Sequence, residues 1–205
     1  MPWRTLRERL AERRLRRRLR GTPRRRVAEL AEDTLARISG VARPLDAVLD
    51  APLTGRACIY YFVWVDEQER TGRAVRCIAS EQKCVPFLLD DEGVRAIVEP
   101  IAATIWARFD HARTIEGTNE IGARERELFA RQQIAPNEWW TKRLLLREAV
   151  IELDERIAVV GAGVREPDPS AMPASGLYRD EAPTLLRLTG SRRFPLVITD
   201  DPESL

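Results

Sequence analysis

Thiols, one imidazole and a crowd of guanidinium groups are what this chain has to offer chemistry. Its 205 residues hold three cysteines, Cys58, Cys77 and Cys84, and a single histidine, His111. A nucleophilic cysteine needs an accessible thiolate beside a base or a positive charge. Cys58 and Cys77 instead sit in apolar runs, where a thiol is expected to serve as a small buried hydrophobe. The six residues between Cys77 and Cys84 match no common zinc spacing, and an odd cysteine count fits a reducing compartment. His111 stands beside Asp110 at the polar end of a run, with no second ligand or nucleophile in reach, and is expected to be structural. Gly161-Ala162-Gly163 has part of a dinucleotide fingerprint, but Arg165-Glu166-Pro167-Asp168-Pro169 follows where a helix is required. No catalytic residue, metal ligand or cofactor is expected.

The guanidinium groups are unevenly spread. Residues 1–26 carry twelve Arg against two Glu, a charge of +10, while the rest carries 22 Lys and Arg against 30 Asp and Glu, a charge of −8. A basic tail, 1–26, precedes a mildly acidic body, 27–205. Helix-forming residues dominate 3–20, yet Leu15 and Leu19 rotate away from the face of Trp3, Leu6 and Leu10. Trp3, Arg13, Arg14, Arg16, Arg17 and Arg18 are candidate contacts to an anionic membrane surface. A solvated charged extension is the plainer alternative, and nucleic acid is disfavoured because interleaved aromatics are few and the body is acidic. Trp139 and Trp140 form a candidate interaction surface, with one ring expected in the core and one outside.

The elements that position these groups are mostly strands. Thr22-Pro23 reads as a helix start, with apolar residues at helical spacing from Val27 to Ile38. Residues 57–65 are unbroken apolar and β-branched or aromatic, the pattern of a strand buried on both faces. Strands are further expected at 73–79, in a hairpin over 84–99 turning at Asp91-Glu92-Gly93, at 103–113, in a hairpin over 147–164, and at 185–188 and 195–199. A helix is expected over 120–133, capped by Thr118 or Asn119. Tyr60, Phe62, Ile97 and Val159 are expected in the core. The fold class is mostly β, a barrel or sandwich of antiparallel strands with an N-terminal helix and one inserted helix. Two sub-lobes, 37–113 and 142–205, are expected within the body.

Five segments in order carry a family resemblance: Ile38-Ser39-Gly40-Val41-Ala42-Arg43-Pro44, Ala51-Pro52-Leu53-Thr54-Gly55-Arg56-Ala57-Cys58-Ile59-Tyr60-Tyr61, Val85-Pro86-Phe87-Leu88-Leu89-Asp90-Asp91-Glu92-Gly93 through Pro100, Ile151-Glu152-Leu153 to Gly161, and Phe194-Pro195-Leu196-Val197-Ile198-Thr199-Asp200. Together they resemble the GIDE, or beside-a-Mulan, domain of the Mulan/GIDE ubiquitin ligases and its bacterial relatives, over residues 22–205. The resemblance implies a partner-binding or sensing domain. In the eukaryotic ligases a separate RING module recruits the ubiquitin-charged enzyme, and the chain has neither the eight Cys/His ligands of a RING nor a membrane helix. Ligase activity therefore does not carry over. The expected function is a non-catalytic interaction or sensing module, bacterial and cytoplasmic, peripheral to the inner membrane, with an unknown protein partner. The alternative is a component of a ubiquitin-like conjugation system, with Cys84 or Cys58 as a thioester-forming nucleophile.

Overall fold

The computed structural model describes residues 6–69, 75–116, 120–134, 142–168 and 184–204. Along the chain run α1 (Leu6–Gly21), β1 (Ala36–Pro44), β2 (Leu49–Asp50), β3 (Ala57–Glu69), β4 (Val75–Cys84), β5 (Phe87–Asp91), β6 (Val94–Glu99), β7 (Thr104–Trp106), β8 (Phe109–Ile115), α2 (Ala123–Arg131), β9 (Lys142–Glu152), β10 (Arg156–Pro167), β11 (Thr184–Thr189) and β12 (Val197–Thr199). The protein is mostly β, as the pattern of its apolar runs and turns implied. It divides into two units: a barrel unit from residues up to Leu45, Pro86–Trp106 and Asp154 onward, and a sheet unit from Asp46–Val85 and Ala107–Leu153. The stretches 37–113 and 142–205 both contribute strands to both units.

In the barrel unit β1, β5, β6, β11 and β10 form a ring that closes by pairing β10 back onto β1. Counted along the chain, the order is first, second, third, fifth, fourth, with the third and fifth parallel. That is the connectivity of the OB-type barrel. Two pairings, β6 with β11 and β12 with β7, are parallel; the rest are antiparallel, as expected. Alternation supplies the interior: Phe87 and Leu89, Ala96 and Val98, Leu186 and Leu188, Ile38 and Ala42, Ile157 and Val159 are all fully buried. So narrow a ring needs small residues at close approaches. A Cβ on Gly40 would lie 2.7 Å from the Asp90 carbonyl oxygen, and one on Gly163 would strike the Arg187 carbonyl. The β5–β6 turn forms as expected, with positive φ at Glu92 (53°) and Gly93 (94°) and the Gly93 N–H donated to Asp90 Oδ1 at 2.7 Å.

The sheet unit is antiparallel, in the order β4, β3, β9, β8, with the short β2 also on β3. On one face α2 buries Leu128 and Phe129, its ends tied to the sheet by Arg113 to Glu125 (2.5 Å) and Gln132 to Glu81 (2.8 Å). Tyr61, Val63 and Val65 project from β3 toward that face, in register with Lys83, Glu81 and Ala79. The inserted helix is thus present, with Gly122 at its N-cap; Thr118 and Asn119 lie outside the described residues.

Several local expectations are corrected. The helix expected after Thr22-Pro23 is absent: Thr22 instead ends α1, its Oγ1 donating to the Arg18 carbonyl at 2.8 Å. Residues 23–25 run extended beside Arg37, and one 3₁₀ turn, Val27–Glu29, follows. Asp91 competes successfully for this segment, accepting from Val27 N–H (3.0 Å) and Arg26 Nε (2.9 Å). The strand expected over 103–113 breaks at Ala107-Arg108 into β7 and β8, which belong to different units. β9 and β10 form no hairpin, because β9 pairs with β3 and β8 while β10 pairs inside the barrel. Phe62 is half-buried and Cys77 is exposed, whereas Tyr60, Ile97 and Val159 are buried.

Candidate functional site

The outward residues of the barrel build a groove. Pairing between β6 and β11 stops at Ala96 and Leu186, so the ends of the two strands, Val94-Arg95 and Thr184-Leu185, line an opening. A cavity of about 540 Å³ lies there, floored by Leu45, Leu88, Ile97 and Leu185, with Val94, Arg95 and Asp168 at its side. Leu88 and Ile97 are cross-strand partners, which makes the apolar floor continuous across β5 and β6. Ile97 is 6% exposed, and Val94 is 42% exposed. The neighbouring cation Arg187 is committed to Glu166 (2.8 Å) and Glu99 (2.5 Å), and the Glu166 hydrogen bond, ahead of Glu99, raises its pKa. Arg95 is exposed and makes no ion pair with any described residue. An apolar trough with the Arg95 guanidinium and the Asp168 carboxylate at its rim suits a ligand with an apolar body and polar groups, an anionic one beside Arg95. The second and third strands of an OB-type barrel are also the side on which such barrels hold ligands.

The sheet unit offers a second surface, on the face away from α2. Phe62 stands edge-on to Trp64 (centroids 5.8 Å apart, 75°) and beside Phe109 (5.6 Å, 35°). One carboxylate orders the group: Asp66 accepts from Trp64 Nε1 and from Arg147 Nη2, each at 2.6 Å. Arg147 in turn lies 5.1 Å over the Phe109 ring. The alternation of β3 indicated that Phe62 and Trp64 share a face, but Phe109, Asp66 and Arg147 join them only through strand register.

The same unit explains much of the Ala51-to-Tyr61 segment. Glu148 is fully buried and accepts from the N–H groups of Leu53 (2.7 Å) and Thr54 (3.1 Å) and from Thr54 Oγ1 (2.6 Å). Arg56 donates to Asp110 (2.5 and 2.9 Å), Glu152 (2.7 Å) and Thr54 Oγ1 (3.0 Å). Its pKa rises, mainly through Asp110. Gly55 has φ +72°, and a Cβ there would strike the Arg124 guanidinium. The segment is a folding clamp, and its partner Glu148 carried no signal in the sequence.

The cysteines are poor nucleophiles. Burial pushes the Cys58 thiol up to about 11, with Glu148 adding to it, and pushes Cys84 up to about 12. Cys77, although exposed, is also raised, first by desolvation and then by Asp66. His111 is in register with Glu148 and Val63, whereas Cys84 is in register with Tyr60, so base and thiol leave opposite faces of the sheet. Among the described residues no group of His, Cys, Asp and Glu could hold a metal ion.

The tail residues fall into three sets. Leu15 and Leu19, which spoiled the expected stripe, form the packing face: Leu19 is fully buried with Val160 and Val197, and Leu15, Leu35 and Trp106 pack around them. Arg16 bonds Glu203 (3.3 Å) and lies 5.1 Å over Trp106, and Arg18 donates to the Pro195 carbonyl at 3.3 Å. Arg13 and Arg17 are exposed, without an ion pair to any described residue. Trp3, the Arg14 side chain, Trp139 and Trp140 lie outside the described residues. No described helix is long and apolar enough to cross a membrane. No protein-family model, curated protein or solved structure matches the chain.

Proposed function

We propose that this chain is a non-catalytic binding module that takes an extended segment of a partner protein in the barrel groove. The groove carries the reading. It lies where β6 and β11 part, so backbone edges, an apolar floor and the Arg95 guanidinium all face one trough. An extended peptide uses each of these: backbone for the strand edges, apolar side chains for Leu88, Ile97 and Leu185, and a carboxylate for Arg95. The bacterial GIDE-type resemblance, the reducing-compartment cysteine usage and the inner-membrane location belong to the same proposal. A thioester-forming role for Cys84 or Cys58 is the weaker reading, because raised thiol pKa values leave little thiolate at neutral pH. Membrane proximity draws support from Arg13 and Arg17, two exposed arginines of α1.

A peptide-display selection on the full chain tests the groove. Selected peptides are expected to combine apolar residues with an acidic one and to lose at least tenfold in affinity on Arg95→Glu or Leu185→Asp. Equal binding by both folded variants would refute it.

A further inference from the structure

We infer that the aromatic face of the sheet unit is a second, independent binding site, for a neutral saccharide. Three observations lead there. First, among the described residues no helix or strand lies over the rings: one side of the sheet carries α2, while the other presents Phe62, Trp64 and a Phe109 that is 40% exposed. A carboxylate that fixes Trp64 and Arg147 together leaves the platform rigid before any ligand arrives, which lowers the ordering cost of binding.

Second, the face is small. Phe109 exposes about 80 Å² of a typical aromatic side chain, and Phe62 and Trp64 beside it are half-buried. That is far short of the roughly 800 Å² per side of a stable protein interface. A ligand of one or two rings matches it; a folded partner or a second copy of the chain does not.

Third, the face is uncharged but polar at its margin. Asp66 and Arg147 neutralise one another at 2.6 Å. The exposed Gln82 pairs across the strands with Phe62, and the exposed Ser80 with Trp64. On the far side the exposed Ala112 and Thr114 face Arg147 and Leu145. An amide and a hydroxyl thus border aromatic rings. A pyranose has the complementary form, with C–H groups on its face for the rings and hydroxyls on its edge for Ser80 and Gln82. A nucleobase would stack as well, but single-stranded nucleic acid needs free cations along its backbone, and the β9 arginines on this face, Arg147 and Arg143, are paired with Asp66 and Glu116.

The test uses the full chain on an array of uncharged oligosaccharides, followed by titration of the best ligand by saturation-transfer NMR. Phe109→Ala is expected to weaken binding at least tenfold and Gln82→Ala several-fold. Phe109→Trp should retain it, and raising salt from 0.05 to about 0.5 M should change it less than twofold, well beyond the screening range of charge-driven binding. Circular dichroism of each variant separates loss of the site from loss of the fold. Failure of every neutral saccharide, unchanged binding by a folded Phe109→Ala, or tighter binding of a thymidine oligomer would overturn the assignment. Because the barrel groove is untouched by these variants, peptide binding there stands or falls separately.

Discussion

In the barrel unit β10 is flanked on both sides, by β1 on one edge and by β12 and β11 in succession on the other. In the sheet unit β4 and β8 each have only one strand partner among the described residues. The two units therefore secure their backbones by different means. The barrel closes through apolar alternation and small residues, so its polar groups are spent on ladders. The open sheet leans on charged clamps, with Glu148 holding the Leu53-Thr54 turn and Arg56 bridging Asp110 and Glu152. Edges that no strand covers need charges that resist adding another strand, and Arg76, Lys83, Asp110 and Arg113 lie along them.

The comparison is broken most directly at Glu148. Glu148→Ala leaves two half-buried amide N–H groups and the Thr54 hydroxyl without their charged acceptor, and is expected to cost about 2–4 kcal/mol. Urea unfolding followed by hydrogen exchange should show the sheet unit opening well before β1 and β10. Simultaneous loss of protection in both units would mean that the clamp serves the whole chain. Leu19→Ala is the matching test of the barrel unit. It removes a fully buried side chain from the Val160–Val197 cluster and is expected to cost about 2–4 kcal/mol, with α1 released first. A cost below about 1 kcal/mol would show that the helix is only loosely seated.

A smaller effect separates the units by pH. The Cys58 and Cys84 thiols, both in the sheet unit, are pushed up to about 11 and about 12. The folded state thus holds these protons more tightly than the unfolded chain does. Their contribution is fully present below the ordinary thiol value of about 8.5 and is lost as pH rises through the folded values. Urea midpoints should fall between pH 8.5 and 11, and fall less in a Cys58→Ala, Cys84→Ala variant. Identical slopes would show that the thiols do not feel their burial. Smallest is the tail: exchanging Arg13 and Arg17 for Glu should reduce co-sedimentation with phosphatidylglycerol vesicles, by about fivefold per arginine at low salt. Equal reduction on exchanging Arg16 and Arg18, whose guanidinium groups are engaged by Glu203 and the Pro195 carbonyl, would show that α1 leaves the barrel on binding.

Reading from sequence succeeded where one residue's neighbours along the chain decide its state. The unbroken run 57–65 makes β3, the Asp91-Glu92-Gly93 turn makes the β5–β6 hairpin, and Ala123–Arg131 is helical. It failed where a distant group decides. Helical spacing from Val27 to Ile38 is real, yet Asp91 captures the Val27 N–H and Arg37 pairs with residues 23–25, so the segment extends. Asp154-Glu155 lies between two strands as a hairpin turn would, but those strands belong to different sheets. The groove was least legible of all. Leu88, Ile97 and Leu185 each look like ordinary strand residues, and only the parallel register of β6 and β11 brings them to one trough.

The interleaving of the two units has a consequence for synthesis on the ribosome. Ala36 pairs with Gly161, so the first strand of the barrel is made 125 residues before the partner that closes the ring. At about 5–20 residues per second, β1 waits roughly 6–25 s for β10. During that wait its apolar side, Ile38 and Ala42 included, has only β5 to cover it. The sheet unit meets a similar delay, since β3 finds β4 at once but must await β9, with Tyr61 paired to Val150. The sheet unit is therefore complete in sequence once β9 has emerged, near Glu152, whereas the barrel must wait for β10, β11 and β12. A nascent chain whose emerged part ends before Arg156 should accordingly hold the sheet unit but leave β1, β5 and β6 of the barrel open and engage chaperones there, and release beyond Thr199 should end that engagement.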